Sequence, residues 1–95
     1  MNAEKIPVAL FRCGKIVATP HALEQLTLED ILRGIQRHQA GDWGEVDHED
    51  REANNRALEE GARLFSVYHS ERGVKFWIIT EAGRQATTVL LPEDY

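Results

Sequence analysis

Cysteine is almost missing from this 95-residue chain: Cys13 stands alone, so no internal disulfide can form and no cysteine cluster can hold zinc. Proline is scarce, with three residues, and aromatic side chains make up 7%. Long apolar runs are also lacking, and none approaches the roughly 20 residues needed to cross a bilayer. The opening stretch MNAEKIPVALF has no signal-peptide shape, so the expectation is a cytoplasmic protein with no membrane partner. Basic charge is in short supply, 11 Lys and Arg against 16 Asp and Glu. The resulting net charge of −5 argues against binding a nucleic-acid backbone with the whole surface.

What remains is ordinary globular material. Hydrophobic content of 42% and charged content of 28% suit a single domain over residues 1–95 with one modest core. The charge, however, is concentrated. Asp42, Glu45, Asp47, Glu49, Asp50, Glu52, Glu59 and Glu60 stand within one segment against only Arg51 and Arg56. That segment accounts for the acidity of the whole protein, and the rest is close to neutral.

Local signals mark the elements. Val8–Phe11 and Lys15–Ala18 are β-prone runs around Arg12-Cys13-Gly14, which predicts a short N-terminal hairpin or a single bent strand. Thr19-Pro20 reads as a helix start, and HALEQL supplies a short turn of helix. Thr27 and Asp30 form a capping-box pair that opens the next helix, with Asp where Glu is more usual. Leu28, Ile31, Leu32 and Ile35 then make an apolar stripe ending near Gln39, and Gly41 stops it. Asp47 caps a second main helix that runs to about Glu60 before Gly61; its apolar stripe is thin, Ala53, Ala57 and Leu58. Ala62–Ser70, Val74–Thr80 and Ala86–Leu91 predict a three-stranded antiparallel meander. Alternation groups Phe65/Val67 with Val74/Phe76/Ile78 and Thr88/Leu90, and Tyr68 with Trp77/Ile79 and Val89/Leu91. The expected class is α+β: a short strand or hairpin, two main helices, then the meander.

Candidate chemistry is thin. Trp43, set between Gly41 and Gly44, could stack a ligand, but it reads better as an anchor plugging the gap between helices and sheet. Asn54 interrupts the thin stripe of its helix and reads as a structural hydrogen-bonding residue, toward the Gly41–Gly44 backbone or Thr80. His21, His38, His48 and His69 lack zinc spacing, so neither metal nor cofactor is expected; His38 falls at the edge of the core stripe. On the sheet, Tyr68, His69, Arg72, Trp77 and Arg84 could supply an acid, a base and a cation for RNA cleavage. The order of helices then meander is that of RelE/ParE-type ribonuclease toxins, an analogy of fold order alone. Those toxins are usually basic and this chain is acidic; the plainer reading makes Arg72 and Arg84 turn and edge residues. The acidic helix remains. A row of carboxylates can imitate DNA phosphates and occupy a basic groove, although most charged helices are simply solvated faces.

The stretches IVATPHAL, GDWG, LEEGARLFSVY and FWIITEAGRQATTVLLPEDY together resemble a family of small bacterial proteins of about this length. These are encoded mainly on plasmids and other integrating elements, and some are labelled type I restriction subunits. His21 stands where that family more often has glycine, and Gly83 where aspartate usually precedes the arginine. The resemblance implies a genetic setting in which genes often counter host defence, and it implies no catalytic residue. Three readings follow. The first is a non-enzymatic protein whose acidic helix, Asp42 to Glu60, binds a protein partner. The second is a ribonuclease or its inactive relative. The third is a homodimer pairing its sheet edge at Ala86–Leu91.

Overall fold

The computed structural model describes residues 8–95. Its helices begin where short-range chemistry places them. Thr19 accepts from the Ala22 N–H at 3.0 Å to open α1 (Pro20–Gln25), with Pro20 at a position that needs no donor. Thr27 and Asp30 exchange two 3.0 Å hydrogen bonds in a complete capping box at the head of α2 (Leu28–Gln39). Asp47 accepts from the Asp50 N–H at 2.8 Å to open α3 (His48–Glu60), and Gly61 closes it at φ 71°.

The strands are β1 (Lys15–Ala18), β2 (Leu64–His69), β3 (Lys75–Thr80) and β4 (Ala86–Leu90), in the order β1-β4-β3-β2. The meander β2–β3–β4 is antiparallel, but β1 joins the far side of β4 in parallel, so the sheet is four-stranded and mixed. The α+β class therefore holds with a different sheet from the one expected. Val8–Phe11 forms no strand and no hairpin. Leu10 instead donates to the Gln39 carbonyl at 2.7 Å, and the Phe11 carbonyl accepts from Gln39 Nε2 at 3.2 Å. The C-terminal end of α2 thus satisfies the backbone that a hairpin partner would have bonded.

Register decides the faces. Ser66 lies opposite Ile78, Tyr68 opposite Phe76, and Ile78 opposite Val89. With Ile31 and Ile35 of α2, and Ala22 and Leu26 packed beside them, the apolar members of this layer form the main core. Phe65, Val67, Trp77, Ile79, Thr88 and Leu90 take the opposite face. The expected grouping of Phe65/Val67 with Phe76/Ile78 is therefore out of step by one residue. The cause is the turn after β2, where Ser70 and Val74 pair through two hydrogen bonds and set His69 opposite Lys75.

Helix α2 is also rotated from its expected stripe: Leu28 and Leu32 are 70% and 58% exposed, while Gly34 and His38 turn inward. Gly34 is the point of closest approach, since a Cβ there would lie 2.9 Å from the Phe76 ring. The segment proposed for dimer pairing, Ala86–Leu91, is interior over β4, with β1 on one side and β3 on the other. It has no free edge to offer.

Strand β2 is an outer strand, yet its outward backbone is covered. Asn54 of α3 donates from Nδ2 to the Phe65 carbonyl at 2.7 Å and accepts from the Phe65 N–H at 3.0 Å. The partner is thus neither Thr80 nor the Gly41–Gly44 loop. Two residues along, Val67 donates to the Trp43 carbonyl at 3.1 Å and accepts from the Glu45 N–H at 2.8 Å. The side chain of Asn54 does for Phe65 what a neighbouring strand would do. Asn54→Ala is expected to lower the unfolding free energy by about 2–3 kcal/mol, read as a shift of the urea midpoint. Asn54→Asp should cost more, because it sets a second acceptor against the Phe65 carbonyl.

Candidate functional site

The only histidine fully inside the described structure sits in a hydrogen-bonded chain. His38 Nδ1 lies 2.6 Å from Ser66 Oγ and Nε2 lies 2.9 Å from Thr80 Oγ1. Thr80 Oγ1 is 2.7 Å from Thr87 Oγ1, which donates to the Cys13 carbonyl at 2.7 Å. A carbonyl can only accept, so every proton in the chain has one place. Thr87 gives its hydrogen to Cys13, Thr80 gives its own to Thr87, and Thr80 therefore accepts from His38 Nε2–H. Nδ1 is left as the acceptor for the Ser66 hydroxyl. A histidine beside a serine is the pairing of a base with its nucleophile, but both residues are 0% exposed and no substrate reaches them. Burial, and secondarily the Arg84 guanidinium, push the His38 pKa down to about 4, so the ring is neutral.

The Gly41–Gly44 loop is a junction. Trp43 is 4% exposed, stacks on Phe11, meets His38 edge-on, and donates Nε1–H to Asn55 Oδ1 at 3.1 Å. Gly44 holds φ 73°, and a Cβ there would collide with the Val67 carbonyl and the Tyr68 ring. A polar cavity of about 150 Å³ opens on this loop between Asp42, Arg51 and Asn55.

The residues proposed for RNA cleavage have other occupations. Tyr68 is buried on the helix-facing side, donates its hydroxyl to the Asp42 carbonyl at 2.5 Å, and lies under the Arg37 guanidinium. Burial raises its pKa far above that of a free phenol. His69, on the opposite side of the strand, donates to Glu45 at 2.5 Å, and Arg72 is exposed in the turn. Arg84 takes φ 63° and donates to the Ala57 carbonyl at 2.7 Å and to the Ala62 carbonyl. That places a cation at the negative end of α3. Arg84 is a helix clamp, and Tyr68 a loop anchor.

The eight acids of the 42–60 segment separate into two groups. Asp42 is gripped by Arg37 through 2.7 and 3.2 Å bonds, which together with the Gly44 N–H hold its carboxyl below the usual range. Glu45 is paired with His69, and Asp47 is the helix cap. Asp50 borders a cleft of about 320 Å³ on the open side of the sheet, lined also by Arg63, Phe65, Trp77, Ile79 and Tyr95. Phe65 and Tyr95 each meet the Trp77 ring edge-on there, 5.1 and 5.7 Å between centroids. Residue alternation hinted at Phe65 and Trp77, but no local signal brings the terminal Tyr95 or Arg63 to them.

Four acids are left. At about 100° of turn per residue, Asn54 and Ala57 face inward, and Glu49, Glu52, Glu59 and Glu60 fall on the opposite, exposed side around Arg56. Among the described residues their one contact within ion-pair range is His48 to Glu52 at 3.6 Å, an exposed pair that contributes little. Among the described residues no group of three His, Cys, Asp or Glu could hold a metal ion, and no helix is long and apolar enough to cross a membrane.

The titration of His38 is testable. Its pKa falls from 6.5 in the unfolded chain to about 4 in the fold. Between those values the unfolded chain binds more protons, so stability is full above the higher value and is lost as pH falls through the window, by about 3 kcal/mol. Asp30, Asp42 and Asp94, whose values are lowered from 3.8, contribute stability that is present above that value and is lost only as pH falls below it. His21, raised by its bond to Asp94, acts in the opposite sense, its contribution fading as pH rises. Thermal melts between pH 7 and pH 4.5 are expected to follow His38; His38→Leu should abolish most of that slope and cost about 2–4 kcal/mol at pH 7. Comparison with protein-family models, curated proteins and solved structures returns no match for this chain.

Proposed function

We propose that this protein is a non-enzymatic binding module that presents the outer stripe of α3 to a basic surface on another protein. The observation that carries the reading is the division of the acids. Asp42, Glu45, Asp47 and Asp50 serve the fold or line the aromatic cleft, whereas Glu49, Glu52, Glu59 and Glu60 share one exposed arc with a single arginine. From Glu49 to Glu60 the stripe is about 16 Å long at the rise of an α-helix.

Helix α3 is held against the domain at both ends and in the middle, which supports its use as a rigid surface. Asp47 caps its start, Asn54 bonds the Phe65 backbone, and Arg84 donates to the Ala57 carbonyl in its last turn. Clustered carboxylates on a fixed scaffold raise association rates with a cationic partner and select against acidic ones. In the setting implied by the family resemblance, such a partner is a host defence or nucleic-acid-handling protein with a basic groove. Direct binding of nucleic acid is disfavoured by the same four carboxylates.

The test is capture from nuclease-treated bacterial lysate with the wild type and with Glu49→Lys/Glu52→Lys/Glu59→Lys. These side chains are exposed, so the variant is expected to fold with little change in melting temperature. Specific partners should be lost in the variant and should elute from the wild type as salt rises through a few tenths molar. A partner set indifferent to the reversal would end the acidic-stripe reading.

A further inference from the structure

The two outer edges of the sheet are built differently. On β2 the outward groups of Phe65 and Val67 are bonded by Asn54 and by the Trp43–Glu45 backbone. On β1 nothing comparable is present among the described residues. Lys15 N–H bonds the Gln85 carbonyl at 3.0 Å and Thr19 N–H bonds the Val89 carbonyl at 3.0 Å. Alternation along a parallel ladder then turns Val17 toward β4 as well, and directs the N–H and C=O of Ile16 and Ala18 away from the sheet. Ile16 and Val17 are 50% and 39% exposed at this edge.

We propose that the outer edge of β1 is a self-association surface on which two copies pair antiparallel about Val17, joining their four-stranded sheets into one continuous sheet. The pattern of free groups is self-complementary. A two-fold axis through Val17 sets Ile16 opposite Ala18 of the second copy, so both free N–H groups and both free carbonyls of each copy meet partners. Val17 then faces its own equivalent, a β-branched pair suited to a strand contact.

Charge agrees with the register. The same axis sets Lys15 opposite Thr19 of the second copy, and the Thr19 hydroxyl is bonded to Asp94 at 2.7 Å, beside Glu93. Each lysine therefore meets an acidic corner, twice per dimer. The paired segment is short and lies well below the roughly 1,200 Å² of a standard interface. The dimer is accordingly a reversible one, with dissociation constants on the order of micromolar or weaker.

Sedimentation equilibrium of the full chain, from low micromolar to millimolar concentration, tests this. The wild type is expected to shift from monomer toward dimer mass, and less so at high salt. Val17→Lys puts two like charges on the axis and should raise the dissociation constant at least about tenfold. Ile16→Pro removes an N–H that the monomer does not use, at an edge position in an extended chain where proline is tolerated. It should keep the circular dichroism and melting temperature near those of the wild type while abolishing the dimer. A wild type that stays monomeric throughout, or a dimer that persists in either folded variant, overturns the proposal. The stripe on α3 plays no part in this contact, so Glu49→Lys/Glu52→Lys/Glu59→Lys should dimerise as the wild type does.

Discussion

One neutral imidazole ties together five separate segments of the chain. His38 hangs from α2, and its two nitrogens reach Ser66 on β2 and Thr80 on β3; Thr80 passes the chain to Thr87 on β4, and Thr87 passes it to the Cys13 carbonyl just before β1. Because the terminal carbonyl accepts only, the donors and acceptors can be satisfied in one arrangement. An apolar core of this size would tolerate small slippages of helix against sheet. A chain of hydrogen bonds in which each unpaired member would cost about 1–3 kcal/mol does not. The rotation of α2, which leaves Leu28 and Leu32 in water, is the orientation that delivers His38 to Ser66 and Gly34 to Phe76.

The Gly41–Gly44 junction follows from the same arrangement. Trp43 stacks on Phe11 and packs edge-on to His38, so the loop after α2 closes over the residue that fixes α2. Its backbone then bonds Val67 and takes the Tyr68 hydroxyl. One loop therefore covers the imidazole, seals half of the β2 edge and sets the point from which α3 departs. Arg84 completes the enclosure: its guanidinium lies over Phe11, 5.5 Å from the ring centroid, and binds the end of α3. Left-handed backbone at a non-glycine residue costs on the order of 1 kcal/mol, and two charge-assisted hydrogen bonds offset that.

What the sequence made legible was local. Thr19-Pro20, Thr27 with Asp30, Asp47 and Gly61 each act on backbone groups within a few residues, and each helix begins or ends where they stand. The α+β class and the three meander strands followed from similar short-range signals. Legibility failed where a choice depended on distant partners. Val8–Phe11 has the composition of a strand, but the end of α2 takes its hydrogen bonds. The faces of β2 and β3 depend on the Ser70–Val74 turn, whose geometry composition alone does not give. Asn54 stood out as a polar residue on a thin stripe, yet its partner lies on an edge whose position only strand order reveals. His38 looked like the edge of a stripe because its five-member chain draws on residues as far apart as Cys13 and Thr87. For the candidate site, the acidic segment was visible as composition, but which acids are already engaged was not.

That division explains how a helix with so little apolar surface stays attached. Among the residues of α3, only Asn54 and Ala57 are fully buried, so apolar burial alone would hold it weakly. Directional bonds take over: Asn54 to the Phe65 backbone, Asn55 to Trp43, and Arg84 to the Ala57 carbonyl. Asn54 sits on the inner side, Asn55 on the flank beside Trp43, and Ala57 in the last turn of the helix. A helix docked by an apolar stripe needs a wide band of its circumference for the core. One docked by polar clamps at a few points needs much less, and the remaining surface is free to carry charge. The acidity of the outer face and the polarity of the inner one are therefore a single design: hydrogen bonding to an otherwise open strand edge leaves the opposite face of α3 in solvent, where charge carries no desolvation cost.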